Sequence, residues 1–124
     1  MPLVIRPATR EDLDAFPTPF AKPTVKALAA EVDGEVLGVA GLAIVRGRYY
    51  AFCDLTSTQA APYRIAVARA AKRLFAEARA AGIRYIYTNA DPDEPRACRW
   101  LASLGFTPDT RHPHLYRWSA SDHV

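Results

Sequence analysis

The feature that most constrains this chain is a long helical stretch, roughly Ala61 to Ala81, that follows a strand, stops at Gly82 and leads directly into another strand, Ile83-Arg84-Tyr85-Ile86-Tyr87. At about 20 residues such a helix spans roughly 30 Å, enough to carry the chain back across a sheet in a parallel, right-handed crossover. Val67, Ala71, Leu74, Phe75 and Ala78 fall on one stripe, with Arg69, Lys72, Arg73 and Arg79 largely outside it, which is the pattern of a helix packed on a sheet. Pro62 suits the first turn, and Gly82 suits the position just past the end, where a positive φ is needed.

Upstream the pattern changes to strands. Leu3-Val4-Ile5 is a short first strand closed by Arg6-Pro7. Thr9 followed by Glu11, Asp12, Leu13 and Phe16 predicts a short helix with an N-cap and an acidic first turn, cut off at Pro17. Pro17 to Pro23 reads as a loop with little room for a second full helix. Leu28 to Val32 and Val36 to Val45 flank Asp33-Gly34, a pair suited to a type I′ hairpin turn. Gly38 and Gly41 mark a bulge or the close approach of another backbone. A third strand runs from Tyr49 to about Thr56, so three strands joined by short turns form an antiparallel meander. Downstream, Asp91 to Pro95 is a loop, Pro95 to Leu104 a short helix stopped by Gly105, and His114 to Trp118 a last strand. Residues 1–118 form one domain on this reading, and 119–124 a frayed tail.

A chain of 124 residues with 50% apolar residues has room for one core and no second module. No apolar run approaches the roughly 18 residues of a membrane span, and Met1-Pro2-Leu3-Val4-Ile5-Arg6 does not read as a signal peptide, so the expected setting is cytoplasmic. Cys53 and Cys98 are too few for a disulfide framework or a zinc site and read as free buried thiols. The net charge of +3 favours anionic partners in general. The arginines of the long helix, with Arg46, Arg48, Arg84, Arg96 and Arg99, accompany no nucleic-acid-binding signature and read as solvated surface.

The strand-to-helix junction is the first place to look for a ligand, because helix N-terminal N–H groups hold anions. The donors are those of Arg64, Ile65, Ala66 and Val67, with Leu55-Thr56-Ser57 alongside. An ordinary helix start capped by Ser57 or Thr58 fits the same residues. Asp54, near the strand end, is placed to accept a proton from an amine, or to bond neighbouring backbone or an arginine. His112 and His114 read as exposed turn residues, and Cys98 lacks a partner base.

In order and spacing, the chain resembles the GCN5-related N-acetyltransferase (GNAT) family along nearly its whole length. The pieces are Val4-Ile5-Arg6-Pro7-Ala8-Thr9, Val32-Asp33-Gly34-Glu35-Val36-Leu37-Gly38, Asp54-Leu55 with the long helix and Gly82-Ile83-Arg84, and Trp100-Leu101-Ala102-Ser103-Leu104-Gly105-Phe106. The resemblance implies an α+β fold: a mixed, mostly antiparallel twisted sheet of six or seven strands, with a central β-α-β crossover and flanking helices. It implies acetyl-coenzyme A in a divergence between the two parallel strands, its pantetheine arm along Leu55, Thr56 and Ser57, its pyrophosphate on the amides of Arg64, Ile65, Ala66 and Val67, and Asn89 at the end of the second strand beside it. Acetyl would pass to a primary amine of a small molecule or protein, with Asp54 the candidate base; no membrane or nucleic acid is implied, and exposed edge strands allow a homodimer.

The sequence also departs from that pattern. The family's Arg/Gln-x-x-Gly-x-Gly/Ala loop falls on Pro62-Tyr63-Arg64-Ile65-Ala66-Val67, so β-branched residues occupy both small positions and their Cβ branches crowd an approaching pyrophosphate. The tyrosine that often protonates the departing thiolate falls on Leu101, and the asparagine early in the final helix falls near Glu94. Tyr63, Tyr116 or a water would then supply the proton. These departures also fit a domain of the same fold that has lost its cofactor and serves as a binding or assembly module.

Overall fold

Two tight turns organise the N-terminal half of the sheet. Asp33 and Gly34 have φ of 52° and 82°, and Arg46 and Gly47 have φ of 51° and 79°. Two successive positive φ values define the type I′ turn, whose twist matches that of the strands it joins. The computed structural model describes residues 3–16, 24–55, 61–90 and 93–123. The turns join β2 (Thr24–Val32), β3 (Glu35–Val45) and β4 (Arg48–Leu55) into the meander. β1 (Val4–Pro7) pairs with the outer side of β2.

β2 bulges between Thr24 and Lys26, and Ala27 just past the bulge pairs with Gly41. A Cβ added there would lie 2.8 Å from Ala27 Cα and 3.0 Å from Phe52 Cζ, so the position admits no side chain without moving the sheet. α1 (Arg10–Ala15) starts in a capping box, in which the Thr9 side chain accepts from the Asp12 N–H and the Asp12 carboxylate accepts from the Thr9 N–H. Arg6 ties this helix to the sheet, donating to Asp12 Oδ2 at 2.7 Å and to Glu31 Oε1 at 3.0 Å. The Arg6 guanidinium, and then the Thr9 N–H, hold the Asp12 carboxyl down at about 2.

Chain direction reverses after β4. A 3-10 turn, Ala61–Tyr63, opens into α2 (Arg64–Ala80), and the chain returns as β5 (Tyr85–Asn89) parallel to β4. The end of α2 is a Schellman motif: Gly82, at φ 91°, donates to the Arg79 carbonyl and Ile83 donates to that of Ala78. This consumes Ile83, which explains why β5 begins at Tyr85 and not at Ile83. α3 (Pro95–Ser103) ends the same way, with Gly105 at φ 98° donating to Ala102 and Phe106 to Leu101. β6 (Thr107–Pro108) and β7 (Leu115–Ser119) complete a seven-stranded sheet of order β1-β2-β3-β4-β5-β7-β6, antiparallel at every junction except β4–β5. Sequence reading misses β6, a two-residue edge strand with a proline and no alternation to show it.

The tail differs from the frayed end read from sequence. Ser119 is buried as the last residue of β7, the Ala120 N–H donates to the Arg84 carbonyl at 2.8 Å, and a 3-10 turn follows over Ala120–His123. The cysteines differ too, because Cys53 is exposed and Cys98 only half-buried.

Two cores lie on opposite faces of the sheet. Leu74, Phe75 and Ala78 of α2 pack with Leu104, Phe106 and the sheet residues Leu42, Ile86 and Trp118. Phe75 meets Phe106 edge-on at 5.5 Å, and each such buried side chain contributes about 1.5–3 kcal/mol. On the other face Ala29, Val39, Ala43 and Phe52 pack under Leu13 and Phe16. No described helix is long and apolar enough to cross a membrane.

Candidate active site

Among the described residues β4 and β5 share a single ladder pair, Tyr50 opposite Tyr87. Just past that pair the Thr88 hydroxyl donates to the Ala51 carbonyl at 3.0 Å, a side chain closing the point where the ladder stops. Main-chain groups alternate in direction along a strand, so those of Cys53 and Leu55 point the same way as Ala51's, into the opening, while Phe52 and Asp54 face β3. The opening therefore exposes strand donors and acceptors that β5 does not pair.

A cavity of about 860 Å³ occupies this divergence and runs on beneath α2, with Val67, Ala70, Ala71 and Leu74 along its helical side. Asp54, Asn89 and Ala90 also line it. Asp54 is half-buried near the end of β4; Asn89 ends β5 and is exposed. Of the residues read as cofactor contacts, Thr56 and Ser57 lie outside the described residues, and so do Ser57 and Thr58 as caps.

The helix start has the character that an anion site needs. Tyr63 stands at the N-cap and its side chain makes no capping bond. The first turn of a helix carries N–H groups without intrahelical partners. Arg64, Ile65 and Ala66 are exposed, Ile65 at 72%, so the isoleucine side chain points away from the divergence and does not plug it. Val67 is half-buried and lines the cavity, narrowing it from the helix side.

Leu101 and Glu94, on or near which the resemblance puts a tyrosine and an asparagine, both line the cavity. Tyr116 is buried on β7 and is not among the residues that line the cavity; the Cys98 thiol beside it, together with burial, raises its pKa. His112 and His114 are exposed beside a turn in which Asp109 accepts the N–H groups of Arg111 and His112. Those bonds, Arg111's first, lower the Asp109 pKa. Among the described residues no group of His, Cys, Asp and Glu could hold a metal ion.

Sequence reading names Leu55, Thr56 and Ser57 and not Cys53, whose main chain the register also turns toward the opening. The register of the last β4–β5 pair decides which residues face the opening, and no periodicity in the sequence encodes it. On the face opposite α2, Arg48 lies 5.1 Å over the Tyr87 ring and Arg117 4.8 Å over Tyr85, giving the closed end of the divergence a cationic, aromatic surface.

No family model and no curated protein matches the sequence. Solved structures do match its fold. Spermidine/spermine N-acetyltransferase SpeG from Vibrio cholerae aligns with TM-score 0.67 at 12% identity, covering 98% of this chain and 94% of that one. An IAA acetyltransferase from Bacillus cereus ATCC 14579 aligns with TM-score 0.68 at 13% identity, covering 95% and 99%. The Y144F mutant of the AtaT toxin, bound to the C-terminus of the antitoxin AtaR and acetyl-CoA, aligns with TM-score 0.60 at 18% identity, covering 98% and 96%. With its seven-stranded sheet, its single parallel crossover and its parted central strands, the chain has the fold of the GCN5-related N-acetyltransferases.

Proposed function

We propose that this protein is an N-acetyltransferase that passes acetyl from acetyl-coenzyme A to a primary amine of a small-molecule or protein acceptor. The observation that carries the reading is the single Tyr50–Tyr87 pair, which leaves the main chain of Cys53 and Leu55 open to a cavity of about 860 Å³. Acetyl-coenzyme A, when bound, supplies an acyl carbon activated as a thioester. The Cys53 and Leu55 main chain would hold the pantetheine arm as an added strand. The N–H groups at the start of α2, at Ile65 and Ala66, with Arg64 beside them and Val67 bordering the site, would hold the pyrophosphate. Asp54 would take the amine proton, directly or through water, which its place in the cavity lining supports, and Asn89 would border the bound cofactor. Thr56 and Ser57 continue the proposed pantetheine path. Catalysis would rest chiefly on positioning and on main-chain polarisation of the thioester carbonyl.

The test is thermal stabilisation by acetyl-coenzyme A, followed by thiol release in the presence of primary amines. A ligand at 100 times its Kd adds about 2.7 kcal/mol to folding stability. No shift at millimolar acetyl-coenzyme A would defeat the enzyme reading. A second reading, a binding or assembly module that has lost its cofactor, is favoured by one observation: Leu101, which cannot donate a proton, faces the cavity where the family carries tyrosine. Absence of the shift in a folded protein would select it.

A further inference from the structure

We propose that the acyl group this protein accepts is a medium-length chain of roughly six to ten carbons, housed in the part of the cavity that runs from the strand divergence across the sheet toward β1. The inference rests on the proposed acyl transfer and names the substrate class at the same site.

The geometry comes from strand register. Directly opposed residues of antiparallel strands project from the same face. One row crosses the sheet through Leu28, Ala40 and Cys53, and a second through Ile5, Ala30 and Gly38. All six line the cavity. Cys53 stands at the divergence, where the thioester would lie, and Ile5 stands on the outermost strand of that side. Four strands spaced about 4.8 Å apart make this floor about 14 Å long, room for an extended chain of eight or more carbons at ordinary bond lengths. Val67, Ala70 and Ala71 of α2 form the opposite wall.

Chemistry and volume agree. None of the six floor residues carries a charge, and the charged lining groups, Asp54 and Glu94, lie on the last part of β4 and just before α3. The cavity of about 860 Å³ includes the divergence assigned to the pantetheine arm, and the small residues Ala30, Gly38, Ala40, Ala70 and Ala71 keep the part beyond it open. The occupant follows from continuity: the floor begins at Cys53, whose main chain opens into the divergence. Transfer is balanced as for acetyl. The amine nitrogen forms a bond to the acyl carbon, the carbon–sulfur bond breaks, and the amine proton ends on the coenzyme A thiol.

The experiment measures binding of acetyl-, butanoyl-, hexanoyl- and octanoyl-coenzyme A by calorimetry, without acceptor, to the wild-type chain and to Ala40→Phe, with Ala70→Phe as a second block from the helix side. Each buried methylene tightens binding by up to about fourfold, so hexanoyl-coenzyme A is expected to bind at least tenfold more tightly than acetyl-coenzyme A. Both variants should erase that gain and leave acetyl-coenzyme A binding within about threefold of wild type. Equal affinity for all four thioesters would overturn the chain-length proposal and leave the transferase reading standing. A gain with length that survives both variants would overturn the placement. No binding by any thioester would remove the transferase reading and this one together.

Discussion

Val67→Asp isolates the proposed anion site, because it adds one negative charge at the fourth residue of α2, where the side chain lines the cavity beside the first-turn N–H groups. A carboxylate about 5 Å from a pyrophosphate charge is repelled by about 1 to 3 kcal/mol at effective dielectric constants between those of water and a protein surface. The pyrophosphate carries about two such charges, so about 2 kcal/mol is a floor for the loss, which weakens Kd by about 30-fold. At a cofactor concentration that gives wild type about 2.7 kcal/mol, the variant retains under about 1 kcal/mol. In melting temperature, at roughly 3–5 °C per kcal/mol for a domain of this size, a shift of about 10 °C shrinks to about 4 °C or less. The unliganded fold should hardly notice: an acidic residue in the first turn gains about 0.3–1 kcal/mol from the helix dipole, offsetting the lost burial of a half-exposed valine. Differential scanning fluorimetry of wild type, Val67→Asp and the uncharged Val67→Asn, each with and without acetyl-coenzyme A, reads the effect. Asn should keep most of the shift. An Asp variant that melts like wild type alone and shifts as far with cofactor would refute the placement of the phosphates on α2.

Three further outcomes rest on other parts of the fold. Gly41→Ala should destabilise the fold by about 2–4 kcal/mol, measured by urea unfolding, because the new Cβ meets β2 backbone that no rotamer change can clear. Asp12 has its pKa lowered to about 2 in the fold, so its ion pair with Arg6 stabilises the protein fully above the unfolded pKa near 4 and is lost as pH falls from about 5 to about 2. After discounting for solvent screening this amounts to about 1–2 kcal/mol, and Asp12→Asn should flatten that part of the stability-versus-pH curve. Leu101→Tyr places a phenol in the cavity, and initial rates of thiol release should rise at least tenfold with little change in cofactor KM; an unchanged rate in a folded, cofactor-binding variant counts against proton donation from that position.

The sequence was most readable where a local rule has one physical solution. Asp33-Gly34 could be assigned because a two-residue hairpin needs two positive φ values, and Gly82 because a helix end needs one. Thr9 is legible as an N-cap ahead of an acidic first turn, and the structure closes it into a capping box with Asp12. Element ends were less readable. β2 starts at Thr24, earlier than the apolar run at Leu28, because pairing with β3 continues past the bulge and the neighbouring strand supplies hydrogen bonds that composition does not show.

The candidate site tests that limit hardest. Helix, crossover and strand order can be inferred one element at a time, but the divergence is a property of two strands about 35 residues apart and of a side chain, Thr88, that closes the ladder by bonding the Ala51 carbonyl. Nothing in the residues around Ala51 or Thr88 distinguishes a ladder that stops from one that continues. The same holds for Ile65, whose branched side chain reads as an obstruction in the sequence and is turned 72% into solvent by its place on α2. Helical geometry sends adjacent positions about 100° apart. Two branched residues in one loop motif therefore need not crowd the same space, and here only Val67 lines the cavity.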